Sequence, residues 1–67
     1  MKNMIKIIDG NVRLFNNEGQ IIRSYYSGQD AEKAYFFNEE TEIVQVHLFD
    51  GKILIINKFG LVLKTIE

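Results

Sequence analysis

The chain carries one motif twice, and this repeat constrains the fold more than any other feature of the sequence. Residues 9–25 align without a gap on residues 50–66, at an offset of 41 positions. Both copies keep two short signals, an Asp-Gly pair at 9–10 and 50–51 and an Asn-x-x-Gly at 16–19 and 57–60. Each copy must therefore be one supersecondary unit, and the fold is built from two related units.

The pattern within each copy predicts three antiparallel strands. Asp-Gly between apolar runs is a strong signal for a two-residue hairpin, and Asn-x-x-Gly favours a second tight turn. Between these turns Val12 and Leu14 alternate with Arg13, as in a strand with one buried face. The sequence thus predicts an all-β (mainly β) protein made of two repeated three-stranded antiparallel meanders, at about 4–26 and 42–67.

The repeat also sets the expected domain organisation. We predict one domain over 1–67, with the internal repeat at 4–26 and 45–67 and a linker at 27–41. The first strand of the second copy extends the match, with Val46 aligned on Ile5 and Leu48 on Ile7.

The linker leaves one alternative open. Ser27 followed by Asp30 resembles a capping box, and we predict a short helix over 29–37. Three residues would share one face of that helix: Ala31, Ala34 and Tyr35. The rival interpretation is a strand at 34–37 that turns through 38–40 into Glu42, which would make the second unit four-stranded.

Two arrangements of the units are compatible with the repeat. The one that needs fewer assumptions is a small sandwich or barrel with pseudo-two-fold symmetry. A meander with a period of about 40 residues, an Asp-Gly turn and a later Asn-x-x-Gly also resembles the blade of a β-propeller. Two blades cannot close a propeller within one chain, so the resemblance implies units that are completed by oligomerisation.

Composition narrows the function classes. The sequence has no cysteine, which excludes disulfides, zinc-thiolate sites and thiol nucleophiles. Eight basic and nine acidic residues, spread along the chain, form no electrostatic footprint for nucleic acid or an anionic membrane. No leader pattern or membrane-spanning run is found, so we expect a cytoplasmic protein. A chain of 67 residues has a small core, which a partner surface would supplement.

The second copy is more apolar than the first, and this difference points to an interaction surface. Leu54 replaces Arg13, and residues 53–56 are apolar on both faces, so either the predicted helix or another chain should cover this strand. Phe59 replaces Glu18 at a turn that normally faces water. The residues that we expect to contact a partner are Leu54, Ile56, Phe59, Leu61 and Leu63.

No catalytic constellation is evident. His47 is the single histidine, and no further ligands are spaced for a metal site. We therefore expect a non-catalytic protein-interaction module without a cofactor. It would act as a homo-oligomer, or as a regulator or inhibitor that occupies a surface of a larger protein, of a kind that phages or prophages encode. The alternative is a small-ligand-binding protein whose pocket, between repeats or subunits, is lined by Tyr25, Tyr26, Tyr35 and His47.

Overall fold

The computed structural model describes residues 3–67, and within this range all regular secondary structure is β-strand. The seven strands are β1 (Met4–Ile8), β2 (Asn11–Phe15), β3 (Ile21–Tyr26), β4 (Ala31–Asn38), β5 (Ile43–Leu48), β6 (Ile53–Ile56) and β7 (Val62–Ile66). Sheet A has the order β1-β2-β3 and sheet B the order β4-β5-β6-β7, with every neighbouring pair antiparallel. The all-β meander prediction is confirmed, whereas the two sheets do not join into a closed barrel.

The predicted helix over 29–37 is wrong, and the rival strand interpretation is correct. This segment forms β4, which pairs with β5 along its length and makes the second unit four-stranded. A register shift between Ala31 and Lys33 places one extra residue, Glu32, in the strand. Ala31 and Ala34 therefore both face the core, although they are three positions apart. The bulge produced a spacing that resembled a helical face.

The two Asp-Gly hairpins differ in length. Asp9 and Gly10 form a two-residue turn with φ angles of 52° and 74°, as predicted. In the second copy the Leu48 N–H donates to the Lys52 carbonyl, which leaves three loop residues, and Gly51 takes the left-handed φ of 97°. The extra loop residue shifts the register by one position. As a result Val46 corresponds to Lys6 and not to Ile5, which corrects the extended alignment.

The second hairpin of each unit has the same turn end in both copies. Phe15 pairs with Ile21, and the corresponding pair is Ile56 with Val62. A register shift follows at the same place in both hairpins. In each turn the Asn side chain, Asn16 or Asn57, accepts two backbone N–H groups through its Oδ1. The repeat thus holds at the turn ends of the β2–β3 and β6–β7 hairpins. Further from the turn they differ, because a second register shift pairs Val12 with Tyr26, whereas Ile53 pairs with Ile66, the counterpart of Tyr25.

One core lies between the two sheets. Sheet A contributes Val12, Leu14 and Tyr25, and sheet B contributes Ala31, Val44, Val46, Leu48 and Ile56. A two-fold axis between the sheets would bring repeat-equivalent faces together. Instead, Val12 and Leu14 face the core while their counterparts Ile53 and Ile55 lie on the side of sheet B that is turned away from it. The faces that meet do not support the expected pseudo-two-fold arrangement.

Hydrogen bonds join the sheets at two ends. At one end the Ala31 N–H donates to the Gly10 carbonyl, and the Gln29 N–H donates to Oδ1 of Asn11. At the other end the Tyr25 hydroxyl donates to the Glu42 carbonyl at 2.7 Å, and Arg23 forms an ion pair with the Glu42 carboxylate. These contacts fix how sheet A lies over sheet B, and they determine which apolar residues stay uncovered.

Candidate functional site

The predicted interaction residues divide between the core and the surface. Ile56 is 1% exposed and belongs to the core, and Leu54 is half-buried against it. Sheet A, and not a helix, therefore covers this side of β6. Phe59, Leu61 and Leu63 are exposed. The structure thus places three of the five residues where a partner has access to them.

These three residues and Val62 form what we call the edge surface. It lies at the last strand of sheet B, because β7 pairs only with β6. All five residues of β7 are exposed, so neither face of this strand is covered. Among residues 3–67 the backbone groups on its outer side have no strand partner, and Lys64 is the single charged residue within the strand. Such an edge is able to accept a further strand.

The turn before β7 holds Phe59 at the tip of a hairpin. Oδ1 of Asn57 accepts the N–H groups of Phe59 and Leu61, each at 3.0 Å, and Gly60 adopts a φ of 81°. The Lys58 ammonium lies 5.6 Å from the centre of the Phe59 ring, and Phe59 is 83% exposed. The ring therefore does not fold back over its own hairpin. Glu18 occupies the same place in the first copy.

A second surface, with apolar and polar residues, lies on the outer face of sheet B, which is turned away from sheet A. Cross-strand pairing places these residues on it: Lys33, Tyr35, Gln45, His47, Ile53, Ile55, Lys64 and Ile66. The rings of Tyr35 and His47 meet edge to face at 5.4 Å, and Nε2 of His47 lies 3.3 Å from Oε1 of Gln45. Ile55, which pairs with Gln45 on one side and Lys64 on the other, is 7% exposed.

Sequence reasoning missed the outer face of sheet A. Met4, Lys6, Ile8, Arg13 and Phe15 share this face through their cross-strand pairing. Phe15 is buried although it points away from the core, and the Lys6 ammonium lies 5.1 Å from its ring centre. Arg13 donates to the Tyr26 carbonyl at 2.9 Å. The sequence contains one signal for this face: Phe15 is apolar at a position where the alternation begun by Arg13 would place a polar residue.

The residues expected to line a ligand pocket do not converge. Tyr25 is buried in the core between the sheets, whereas Tyr35 and His47 lie on the outer face of sheet B. Tyr26 donates its hydroxyl proton to the Asp30 carboxylate in the connection between the sheets. The part of the chain that the structure describes encloses no cavity. Within the same residues, no cluster of three His, Asp or Glu side chains has a geometry suited to a metal ion.

The pairing of Tyr26 with Asp30 predicts a change in stability at high pH. The hydrogen bond to the Asp30 carboxylate, with a smaller effect of burial, raises the pKa of Tyr26 to about 12. An unfolded tyrosine titrates at about 10, so the folded state holds this proton more tightly than the unfolded chain. The contribution of this bond to stability is therefore complete below pH of about 10 and is lost as the pH rises to about 12.

Ultraviolet absorbance of the tyrosinate ion measures this titration directly. We expect Asp30→Asn to lower the pKa of Tyr26 toward its ordinary value, because the amide removes the negative charge next to the phenol. Tyr26→Phe serves as the control that identifies which phenol has moved. A titration curve that Asp30→Asn leaves unchanged would contradict the assignment.

Comparisons with protein-family models, with curated proteins and with solved structures found no match to this chain. Residues 3–67 contain no helix with the length and hydropathy to span a membrane.

Proposed function

We propose that this protein is a non-catalytic protein-interaction module that binds an extended segment of another polypeptide at the edge surface. The observation that carries the proposal is the combination found in β7: a free backbone edge and apolar side chains exposed on both of its faces. Backbone hydrogen bonds of an added strand would supply affinity, and its alternate side chains would contact the apolar residues. The partner is a second copy of the chain or a segment of a larger protein, which the module would regulate by occupying its surface.

The edge surface combines features that are unusual for a free edge. Proteins commonly protect such edges with charged residues or proline, and this stretch has only Lys64 within β7 and no proline. Phe59 adds a large aromatic side chain next to the edge, in a turn whose backbone is held by Asn57. Aromatic residues of this kind are enriched among those that contribute most to binding free energy.

The decisive substitution is Phe59→Glu, which places in the second turn the residue that the first turn already carries. The hydrogen bonds of the turn involve Asn57 and the backbone, so the fold should be preserved. We expect partner affinity to fall by at least about tenfold, because a charge replaces the apolar anchor. Glu18→Gln, in the equivalent turn of sheet A, is the matched control and should leave affinity unchanged.

Differential capture measures this effect. The wild-type chain and the variants Phe59→Glu and Glu18→Gln are each immobilised. A cell extract to which a tagged copy of the wild-type chain has been added is passed over them, and the retained proteins are quantified. Support requires a protein that the wild type and Glu18→Gln retain and that Phe59→Glu loses. If no protein, the tagged copy included, depends on Phe59, the edge surface is not the binding site.

A further inference from the structure

The packing of the two sheets within the chain indicates what covers their outer faces. The inner face of sheet A, with Val12 and Leu14, lies on the inner face of sheet B. In the alignment of the two copies Val12 and Leu14 correspond to Ile53 and Ile55, and the strand pairing agrees at Leu14 and Ile55, which pair with the equivalent residues Arg23 and Lys64. The outer face of sheet B is therefore the counterpart of the face of sheet A that packs on the core, where Val12 and Leu14 are fully buried.

The outer face of sheet A is likewise the counterpart of a buried face. Phe15 corresponds to Ile56, which is in the core. The pairing of β1 with β2 and of β5 with β6 gives three further correspondences: Met4 with Val44, Lys6 with Val46 and Ile8 with Leu48. Each sheet thus has one face of the Val12 type and one face of the Phe15 type. Within the chain, the Val12-type face of sheet A packs on the Phe15-type face of sheet B. The other two faces, which are also of unlike type, have no such contact within the described residues.

We propose that the outer face of sheet B of one copy packs on the outer face of sheet A of a second copy, repeating between chains the contact that the sheets make within the chain. The contact joins unlike faces, so it is head-to-tail: it adds further copies, and the assembly ends in a ring where the rotation between copies closes and stays open where it does not. The inference rests on the proposed function in that it names a second copy as a partner. It uses neither Phe59 nor the free edge of β7, so the two proposals can be tested separately.

The apolar residues available for this contact are exposed on both faces. Tyr35 and Ile66 are exposed on sheet B, and Met4 and Ile8 are exposed on sheet A. The surrounding side chains are compatible with burial at a flat contact. Those of Tyr35 and His47 already pack on each other, and the Lys6 ammonium already lies 5.1 Å from the Phe15 ring centre.

Charge gives the proposed contact a distinctive dependence on salt. Sheet A brings Lys6 and Arg13 to it, and sheet B brings Lys33 and Lys64. Like charges repel across an interface, and added salt screens that repulsion. Head-to-tail association should therefore be weak at low ionic strength and become stronger as salt is added, and Lys6→Val with Arg13→Leu, which restores the residues of the second unit, should strengthen it.

The test is a concentration series of the full chain by light scattering, with one variant for each face. Tyr35→Lys blocks the face on sheet B and Ile8→Lys blocks the face on sheet A, and both positions are exposed, which favours retention of the fold. Ile66→Lys and Met4→Lys are the second variants for the same faces, and circular dichroism verifies folding. Phe59→Glu, which leaves both faces intact, is the control for the edge surface.

Mixing the two blocked variants distinguishes the head-to-tail contact from a symmetric one. We expect the wild type to self-associate, each blocked variant to lose at least about tenfold in self-association, and an equimolar mixture to form a one-to-one dimer through the two intact faces. A wild type that stays monomeric at every concentration and salt, blocked variants that still associate, or a mixture that stays monomeric would each overturn the proposal. Loss of association in Phe59→Glu alone would assign self-association to the edge surface instead.

Discussion

Replacing Gly10 by alanine is expected to destabilise this protein by about 3–5 kcal/mol, a large part of the free energy of unfolding of so small a chain. A Cβ atom at Gly10 would lie 2.3 Å from both the carbonyl carbon and the carbonyl oxygen of Gln29. These are backbone atoms, held in place by the hydrogen bonds of Gln29 and Ala31, so no side chain can rotate away. The positive φ of 74° adds to the strain.

Gly51→Ala is the matched control, because Gly51 is the glycine of the equivalent Asp-Gly pair. Its φ of 97° is also unfavourable for alanine, but an added Cβ would meet no atom within 4 Å. We expect the free energy of unfolding to fall by about 1–2 kcal/mol, which is the cost of placing alanine in a left-handed backbone conformation. Urea unfolding followed by circular dichroism gives both free energies. Equal losses for the two variants would mean that the close approach of the first hairpin to Gln29 contributes nothing to stability.

The second large effect is expected for Leu14→Ala, at about 2–5 kcal/mol. Leu14 is 0% exposed and packs between the two sheets, so its truncation leaves a cavity that the surrounding strands can fill only in part. Ile55 is its repeat equivalent, and Ile55→Ala removes as many carbon atoms as Leu14→Ala. It lies on the outer face of sheet B, where water and neighbouring side chains can occupy the space, so we expect at most about half the loss.

Urea unfolding of both variants should be measured at a protein concentration at which the chain is monomeric. If the outer faces associate, the stability of the wild type rises with concentration, since a partner that binds only the folded state stabilises it. The loss in Ile55→Ala would then grow with concentration, whereas the loss in Leu14→Ala is set within the chain. A loss in Ile55→Ala equal to that in Leu14→Ala in the monomer would contradict the assignment of the two faces.

The local structure of the hairpins was predictable because short-range chemistry determines it. Asp9-Gly10 formed the two-residue turn that its sequence indicates, and both Asn-x-x-Gly turns formed with the same hydrogen bonds. The one-residue difference in the second Asp-Gly hairpin was not predictable from the repeat. There Gly51 alone takes a left-handed φ, and the longer loop depends on how β5 pairs with β6.

The error over residues 29–37 has a similar origin. A spacing of three between two small apolar residues suits a helix, and it also suits a strand with a bulge. The choice depends on whether β5 offers a pairing edge next to this segment, and that is a property of residues distant in sequence. The same holds for the ligand-lining hypothesis, since Tyr25 and Tyr35 were separated by the placement of the sheets and not by any local preference.

The all-β class, the internal repeat and the tight turns could be predicted from the residues, because alternation and turn chemistry act over a few positions. Which side of each sheet is buried depends on tertiary packing. Leu14 and Ile55 are equivalent in sequence and pair with the equivalent residues Arg23 and Lys64, yet Leu14 is in the core and Ile55 lies on an outer face. The physical reason is that a face becomes buried only when another sheet packs against it, and contacts between distant segments, at Gly10 with Ala31 and at Tyr25 with Glu42, set that packing.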